Sequence, residues 1–234
     1  MKIIKITLSL ILPVVFWQNI SFSHPEATND KEHVEKAAEV SAVEDLMREH
    51  GVLRRLLLIY EEIYRSINKN RKVENHIILE TSGIVRDFIE NYHEKLEEEY
   101  IFSKFKKGEK FFNTSVTLKK QHDAGRRITG NILRLSEGEI KDIKKQKELM
   151  RDIVLFIRMY RPHAAREDTV LFPVFKETIT EKEYDKLGDK FEEREIRLFG
   201  KKGFEGVVGR VAVLEKKLGI YDLSQFTPSN HDSK

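Results

Sequence analysis

The 234-residue chain contains no cysteine. That absence excludes a disulfide framework, thiolate zinc sites, iron–sulfur clusters, a cysteine nucleophile and a lipid-bearing N-terminal cysteine. Any metal must be held by nitrogen and oxygen. An excess of one charge is also missing, because 42 basic side chains stand against 39 acidic ones, a formal charge of +3. With no basic stripe to meet a phosphate backbone, no nucleic-acid partner is expected. A long apolar run is the third absence: Ile6 to Trp17 is broken by Thr7, Ser9 and Pro13 and falls short of the ~20 residues that span a bilayer.

What that run does fit is a secretory signal. Lys2 and Lys5 precede it, and Ser21 and Ser23 place small residues at the positions that signal cleavage requires. Cleavage after Ser23 would remove two of the 42 basic groups and leave a mature chain of charge +1. Export to the periplasm or the medium is the expectation, an uncleaved N-terminal anchor its alternative, with no membrane span in the mature chain. Residues 24–40 are polar, contain Pro25 and Asn29-Asp30, and read as a linker.

From Ser41 the pattern is helical. Ser41 and Glu44 have capping-box spacing, and Val43, Leu46, Leu53, Leu57, Tyr60 and Tyr64 then recur at three- and four-residue steps. His50 lies in that stripe. A second helix, about Glu74 to Lys106, aligns His93 and Glu97 with Val85, Phe88, Ile89, Tyr92, Leu96 and Tyr100. A third, about Thr114 to Glu137, carries His122 in phase with Leu118, Gly125, Thr129 and Ile132; a fourth, about Lys145 to Lys176, carries His163 and Glu167. Four long amphipathic helices with short connections predict an all-α fold, an antiparallel up-and-down four-helix bundle over residues 41–177. Residues 178–227 add one or two helices, Thr180 to Leu198 and a stripe from Phe204 to Leu218 stopped at Gly219, and residues 228–234 read as a disordered tail.

The histidines mark an internal repeat. His50 and His122 each begin His-x3-Arg-Arg-aliphatic, at an offset of 72, and His93 and His163 each begin His-x3-Glu-acidic-x2-aliphatic-Phe, at an offset of 70. Two different motifs recurring in one order describe a duplicated helix hairpin. Folding the halves together brings four imidazoles and two carboxylates to one level of the core. A lone carboxylate there is costly, whereas one bridging two cations has both oxygens satisfied. Imidazole and carboxylate without sulfur favour iron or manganese over structural zinc, although copper and zinc also bind imidazole. The spacing is neither the Glu-x2-His of ferritin-like di-iron proteins nor the His-Glu-x2-His of zinc proteases.

The ordered set His50, His93-x3-Glu97, His122 and His163-x3-Glu167, followed by Leu171-Phe172-Pro173, resembles the hemerythrin or HHE cation-binding family over about Ser41 to Phe175. The resemblance implies a non-haem centre of two iron ions, manganese or zinc ranking behind iron. Glu97 and Glu167 would bridge, with the four histidines as terminal ligands. Arg126 stands where oxygen-carrying members have a fifth histidine, and Glu94, directly after His93, is an optional seventh ligand. Fewer histidines and more oxygen donors favour sensing, redox chemistry or iron handling over reversible oxygen carriage.

The expected function is therefore an exported di-iron protein that binds O2, NO or another small oxidant. The alternatives are a di-iron redox enzyme, oxidising ferrous iron or reducing peroxide or NO, and an iron-scavenging or structural bundle with a closed site. No protein partner is indicated. His24, His33, His76 and His231 are expected to face solvent or lie in the termini. Tyr60, Tyr92, Tyr100 and Tyr160 read as packing residues, one of which could reach the metals. Gly125 reads as a close helix contact, with room for a small ligand as the other reading. The Arg54-Arg55 and Arg126-Arg127 pairs read as solvated or paired with surface acids, with orientation of a bridging carboxylate as the other reading. Glu98 and Glu99 read as a solvated face.

Overall fold

A computed structural model describes residues 40–228 except 139 and 141. The signal segment 1–23, the linker up to residue 39 and the tail from residue 229 lie outside the described residues. Among those described, all regular structure is helical, and no helix is long and apolar enough to cross a membrane.

Helix α1 is Ala42–Asn68. Ser41 Oγ accepts the Glu44 amide at 3.4 Å and also the Tyr184 hydroxyl at 3.0 Å. The reciprocal capping box occurs instead at Thr180 and Glu183, where each side chain bonds the other's backbone amide. Helix α2 runs without a break over residues 75–104, helix α3 is Phe112–Ser136, and helix α4 is continuous over residues 143–177. Pro162 sits inside α4 without ending it.

Both α2 and α4 depart from α-helical winding. Val85–His93, Glu97–Ile101 and Glu167–Leu171 are π-helical. Such winding is uncommon and concentrates at functional sites. The last two segments start at equivalent positions of the repeat, and each starts at one of the two glutamates. Apolar spacing alone carries no trace of these turns.

Helix α1 packs on α2 and α4, and α3 packs on the same two, so the four helices close a ring. Leu46, Leu53, Leu56, Tyr60, Phe88, Ile89, Ile132, Ile153, Phe156 and Tyr160 fill its interior. Each large side chain so buried contributes roughly 1.5–3 kcal/mol. Two further helices, α5 (Glu181–Phe199) and α6 (Gly203–Leu218), lie along α1 and touch α2. Phe199 and Phe204 join Phe88 and Tyr92 in an aromatic cluster with ring centroids 5.4–6.4 Å apart. Arg55 on α1 forms a two-pronged ion pair with Glu215 on α6, at 2.9 and 2.5 Å. Gly219 ends α6 at a φ of 72°, a backbone region open to glycine at little cost.

The C-terminal helices are thus part of the packed body. Leu214, on the buried face of α6, is 2% exposed, whereas its neighbour Val213 is 52% exposed. Leu214→Ala is expected to lower the unfolding free energy by about 2–5 kcal/mol, and Val213→Ala by less than about 0.5 kcal/mol. Urea denaturation followed by circular dichroism checks both; equal small losses would show that α6 does not pack on α1 in solution.

Candidate metal centre

The ring of helices brings His50, His93, Glu97, His122, His163 and Glu167 into one cluster, each at most 3% exposed. His50 and His122 sit in the first halves of α1 and α3, and the His-x3-Glu pairs sit in the second halves of α2 and α4. All four Nε2 atoms point inward. His93 Nε2 lies 3.4 Å from Glu97 Oε1 and His122 Nε2 lies 3.4 Å from Glu97 Oε2, so the two Glu97 oxygens face different histidines. Glu167 Oε2 lies 3.4 Å from His50 Nε2 and 3.1 Å from His163 Nε2. The Nε2 atoms of His122 and His163 are 3.1 Å apart. Ligand atoms fall into two overlapping groups, His50–His93–Glu97 and Glu97–His122–His163–Glu167, with Glu97 in both.

These residues fit a pair of cations. His50 Nε2 and both oxygens of Glu97 and of Glu167 are fully buried and lack a hydrogen-bond partner. Ionised groups in such a place cost several kcal/mol unless a charge meets them (about that order). Two ligands of one metal, each ~2.1 Å from it, stand ~3.0–3.4 Å from one another at ordinary coordination angles, close to the 3.1–3.7 Å seen here.

The outward Nδ1 atoms are held in a closed circuit. Glu49 on α1 accepts from His93 on α2 at 2.6 Å, and Glu98 on α2 accepts from His122 on α3 at 3.2 Å. Gln121 on α3 accepts from His163 on α4 at 2.8 Å, and Asp168 on α4 accepts from His50 on α1 at 2.6 Å. Each acceptor is the sequence neighbour of a cluster residue on its own helix. An acceptor at Nδ1 fixes the ring proton there and leaves Nε2 to bind a cation.

Arginine and phenylalanine complete the circuit symmetrically. Arg54 pairs with Asp168, and Arg126 pairs with Glu98 at 2.6 Å, so the arginine four residues after each first-helix histidine grips that histidine's own acceptor. Phe172 stacks on His50 at 5.6 Å, and Phe102 stacks on His122 at 5.3 Å. The first arginine, the acidic residue and the phenylalanine of the repeat therefore have positions at the site, whereas the second arginine of the first copy, Arg55, pairs with Glu215 on α6. Glu98 is not the solvated residue expected from its charged run, because it turns to His122, Arg126, Lys95 and Lys119. Arg54 and Arg126 pair with Asp168, Glu94 and Glu98, not with Glu97 or Glu167.

The electrostatics follow from this crowding. Burial opposes charge on Glu97, but His93 and then His122 outweigh it and hold the carboxyl well below its usual range. Burial likewise opposes charge on His122, yet Glu94, Glu97 and Glu98 hold its pKa up at about 10. His93 is held well above its ordinary value by Glu97 and Glu49 against the same burial. Protons on these rings balance the buried carboxylates, and divalent cations would displace them.

Glu94 is buried, but its oxygens meet Tyr160 and Arg126. The Tyr160 hydroxyl donates to Oε1 at 2.5 Å, and Arg126 Nη2 lies 2.7 Å from Oε2. Its nearer cluster atom is His122 Nδ1 at 4.0 Å, on the outward side of that ring. Tyr160 is thus the tyrosine that reaches the site, its ring 5.3 Å from His163. Gly125 makes the space, since a Cβ there would stand 2.0 Å from the Tyr160 hydroxyl oxygen; the room is filled by that hydroxyl. His76 lies outside, 3.0 Å from Glu74 and 3.1 Å from Lys217.

Asp168→Ala is expected to weaken metal affinity by about 10- to 100-fold with helicity retained, and Glu98→Ala to behave alike; competition with a chelator measures it. Wild-type affinity in both would mean that the circuit does not position the rings. A separate expectation concerns Glu90, whose carboxyl is pushed up from 4.5 to about 7 by burial, with Glu94 adding and Arg86 opposing. The folded chain then binds more protons than the unfolded one between those values, so this group lowers stability as pH rises from 4.5 to about 7. Glu90→Gln should flatten that part of the stability profile. A decline as steep as wild type in pH-dependent denaturation would contradict it.

Curated relatives from Mycobacterium tuberculosis and Mycobacterium bovis, both uncharacterized proteins, are each 43% identical to this chain over 196 residues, covering 83% of it and 77% of the relative. A match of that extent necessarily continues past residue 175 into α5. No solved structure matches significantly. The profile of the hemerythrin HHE cation binding domain matches residues 41–175, which hold all six residues of the cluster. The chain therefore belongs to the hemerythrin HHE cation-binding family.

Proposed function

We propose that the chain is a non-haem di-iron protein that binds a small oxidant or diatomic molecule at the His/Glu cluster. The observation that carries the reading is the convergence of five buried, unpartnered ligand atoms, His50 Nε2 and the four oxygens of Glu97 and Glu167. Placement of the cluster residues in the first halves of α1 and α3 and the second halves of α2 and α4 supports an antiparallel up-and-down arrangement of the four helices. His50, His93, His122 and His163 would be terminal ligands, Glu97 and Glu167 bridges. Two irons, when bound, supply electrons and open coordination positions for a small molecule.

The chain's own residues set the conditions. Phe102 and Phe172 cover two of the rings and keep water from that side. An open cleft of about 390 Å³, lined by Thr117, Gln121, Pro162, His163 and Arg166 among others, reaches His163 and offers a path for a small molecule. Burial, then Glu94, holds the Tyr160 hydroxyl well above its usual pKa, so it keeps its proton and donates it in a hydrogen bond to Glu94 Oε1. Arg126 pairs with Glu94 and Glu98 from the position of the fifth histidine.

A second reading, redox turnover at the same centre, is favoured by the Tyr160–Glu94 pair, a proton held beside the cluster. Multiple turnovers with a supplied reductant support it; stoichiometric reversible binding supports the first reading. Export also remains a proposal, resting on the lysines, apolar run and small residues before His24; the N-terminal sequence of protein recovered from the periplasm tests it.

Protein purified with iron is expected to hold about two irons per chain and to show a near-ultraviolet oxo-to-iron band that azide perturbs. Glu97→Ala or Glu167→Ala should remove most of that iron, and His76→Ala none. Fewer than about 1.5 irons per chain with no such band would sink the di-iron reading, on the family's two-ion stoichiometry.

A further inference from the structure

Beside the cluster, on the side closed by the C-terminal helices, three carboxylates meet. Asp45 and Glu49 lie one turn apart on α1, and Glu195 comes from α5; one oxygen of each lies within 4.8 Å of the others. Three such groups repel one another unless a proton or a cation sits among them. Arg48 pairs with Asp45 at 3.3 Å from a partly exposed position over the Phe204 ring, and the His93 ring meets Glu49 at 2.6 Å from the cluster side.

Two buried atoms aimed into this pocket are unpartnered. Glu49 is fully buried; its Oε2 takes the His93 proton, and its Oε1 has no hydrogen-bond partner. Tyr92, also fully buried, presents a hydroxyl without a partner to the same side, facing Glu49 with Asp45 and Glu195 nearby. Glu195 is fixed in place. Its Oε1 accepts the Phe204 amide at 2.8 Å, and a Cβ at Gly203 would stand 2.4 Å from that oxygen, so the turn between α5 and α6 is shaped around the carboxylate.

We infer that Asp45, Glu49 and Glu195, with the Tyr92 hydroxyl, form a third cation site, distinct from the His/Glu cluster and taking a divalent ion through oxygen alone. Carboxylate oxygens without nitrogen or sulfur suit hard ions such as Mn(II), and they also ligate the borderline Fe(II). The site is also placed to pass iron inward. Asp45 opens to solvent on one side, and Glu49 on the other holds the back of His93, whose Nε2 faces Glu97. Asp45 is pushed up to about 7 by burial first and then by Glu49 and Glu195, the mark of a group short of positive charge. Glu195 lies beyond the residues matched by the family, so the cluster's own ligand set cannot provide this site. The staging role rests on the di-iron reading, whereas the cation site does not.

The test titrates Mn(II) into the full iron-loaded protein and follows free Mn(II) by electron paramagnetic resonance. About one Mn(II) per chain should bind wild type, and Glu195→Gln and Asp45→Asn should each weaken it roughly tenfold or more, with iron content, iron band and helicity unchanged. Wild type taking up no Mn(II), or both folded variants binding it as wild type does, overturns the site. Filling of the iron-free protein by Fe(II), followed through the iron band, should be slower in both variants yet reach the same final absorbance; an unchanged rate overturns the staging role. Mn(II) binding lost with Glu195→Gln in a protein that never develops the iron band would overturn the di-iron reading and uphold this site.

Discussion

Everything in this chain is arranged around the cost of keeping Glu97 and Glu167 ionised where no water reaches them. A carboxylate so buried must meet positive charge, and four imidazole nitrogens converge to share that charge with it. Imidazoles turn easily unless their far side is held, so each Nδ1 needs an acceptor. The acceptors are supplied around the ring of helices, each helix holding the histidine of the next. The same bonds that aim the ligands therefore tie the four helices together. Metal affinity and helix packing are two readings of one set of contacts.

The duplication explains why this is economical. One hairpin carrying a histidine, an arginine four residues on, a glutamate with an acid beside it and a closing phenylalanine is used twice. The two copies complete each other's sites: the arginine and histidine of one half meet the acid and phenylalanine of the second helix across the ring. The copies differ at one telling place. Glu49 and Gln121 occupy equivalent positions before their histidines, so His93 leans on a carboxylate and His163 on a neutral amide. A carboxylate behind an imidazole makes it a stronger donor, so the His93 side is the more electron-rich half of the cluster.

The helices and the six cluster residues were legible because both leave a periodic trace: apolar residues at three and four, and histidines at one offset. The outer circuit was harder to read. Asp168, Glu98, Arg54 and Arg126 all stand inside the repeat, yet their partners lie on other helices, and a charged run such as Glu97-Glu98-Glu99 looks solvated when judged on its own helix. The π turns that begin at Glu97 and Glu167 add to this, since they change the phase between a ligand and the residues after it. The π-helical stretch Val85–His93 likewise shifts the phase between His76 and the cluster residues on the same helix. What holds His76 outside is its contact with Glu74 and Lys217. Glu49 had no such clue, being a single acid on a stripe defined by its apolar members.

The C-terminal helices show the same logic from outside. Apolar spacing could say that α5 and α6 bury a face, but not against what. Their cover falls mainly on α1 and α2, the pair that carries Glu49 and His93, while a cleft between α3 and α4 reaches His163. The two sides of the cluster thus face different surroundings. On one side is a packed wall that brings a further carboxylate toward Glu49; on the other is an opening large enough for a small molecule. Because Glu49 rather than glutamine stands on the walled side, a charge placed behind the wall acts on His93 directly, whereas nothing comparable lies behind His163. A cluster built from two equal halves is made unequal by what is packed against it.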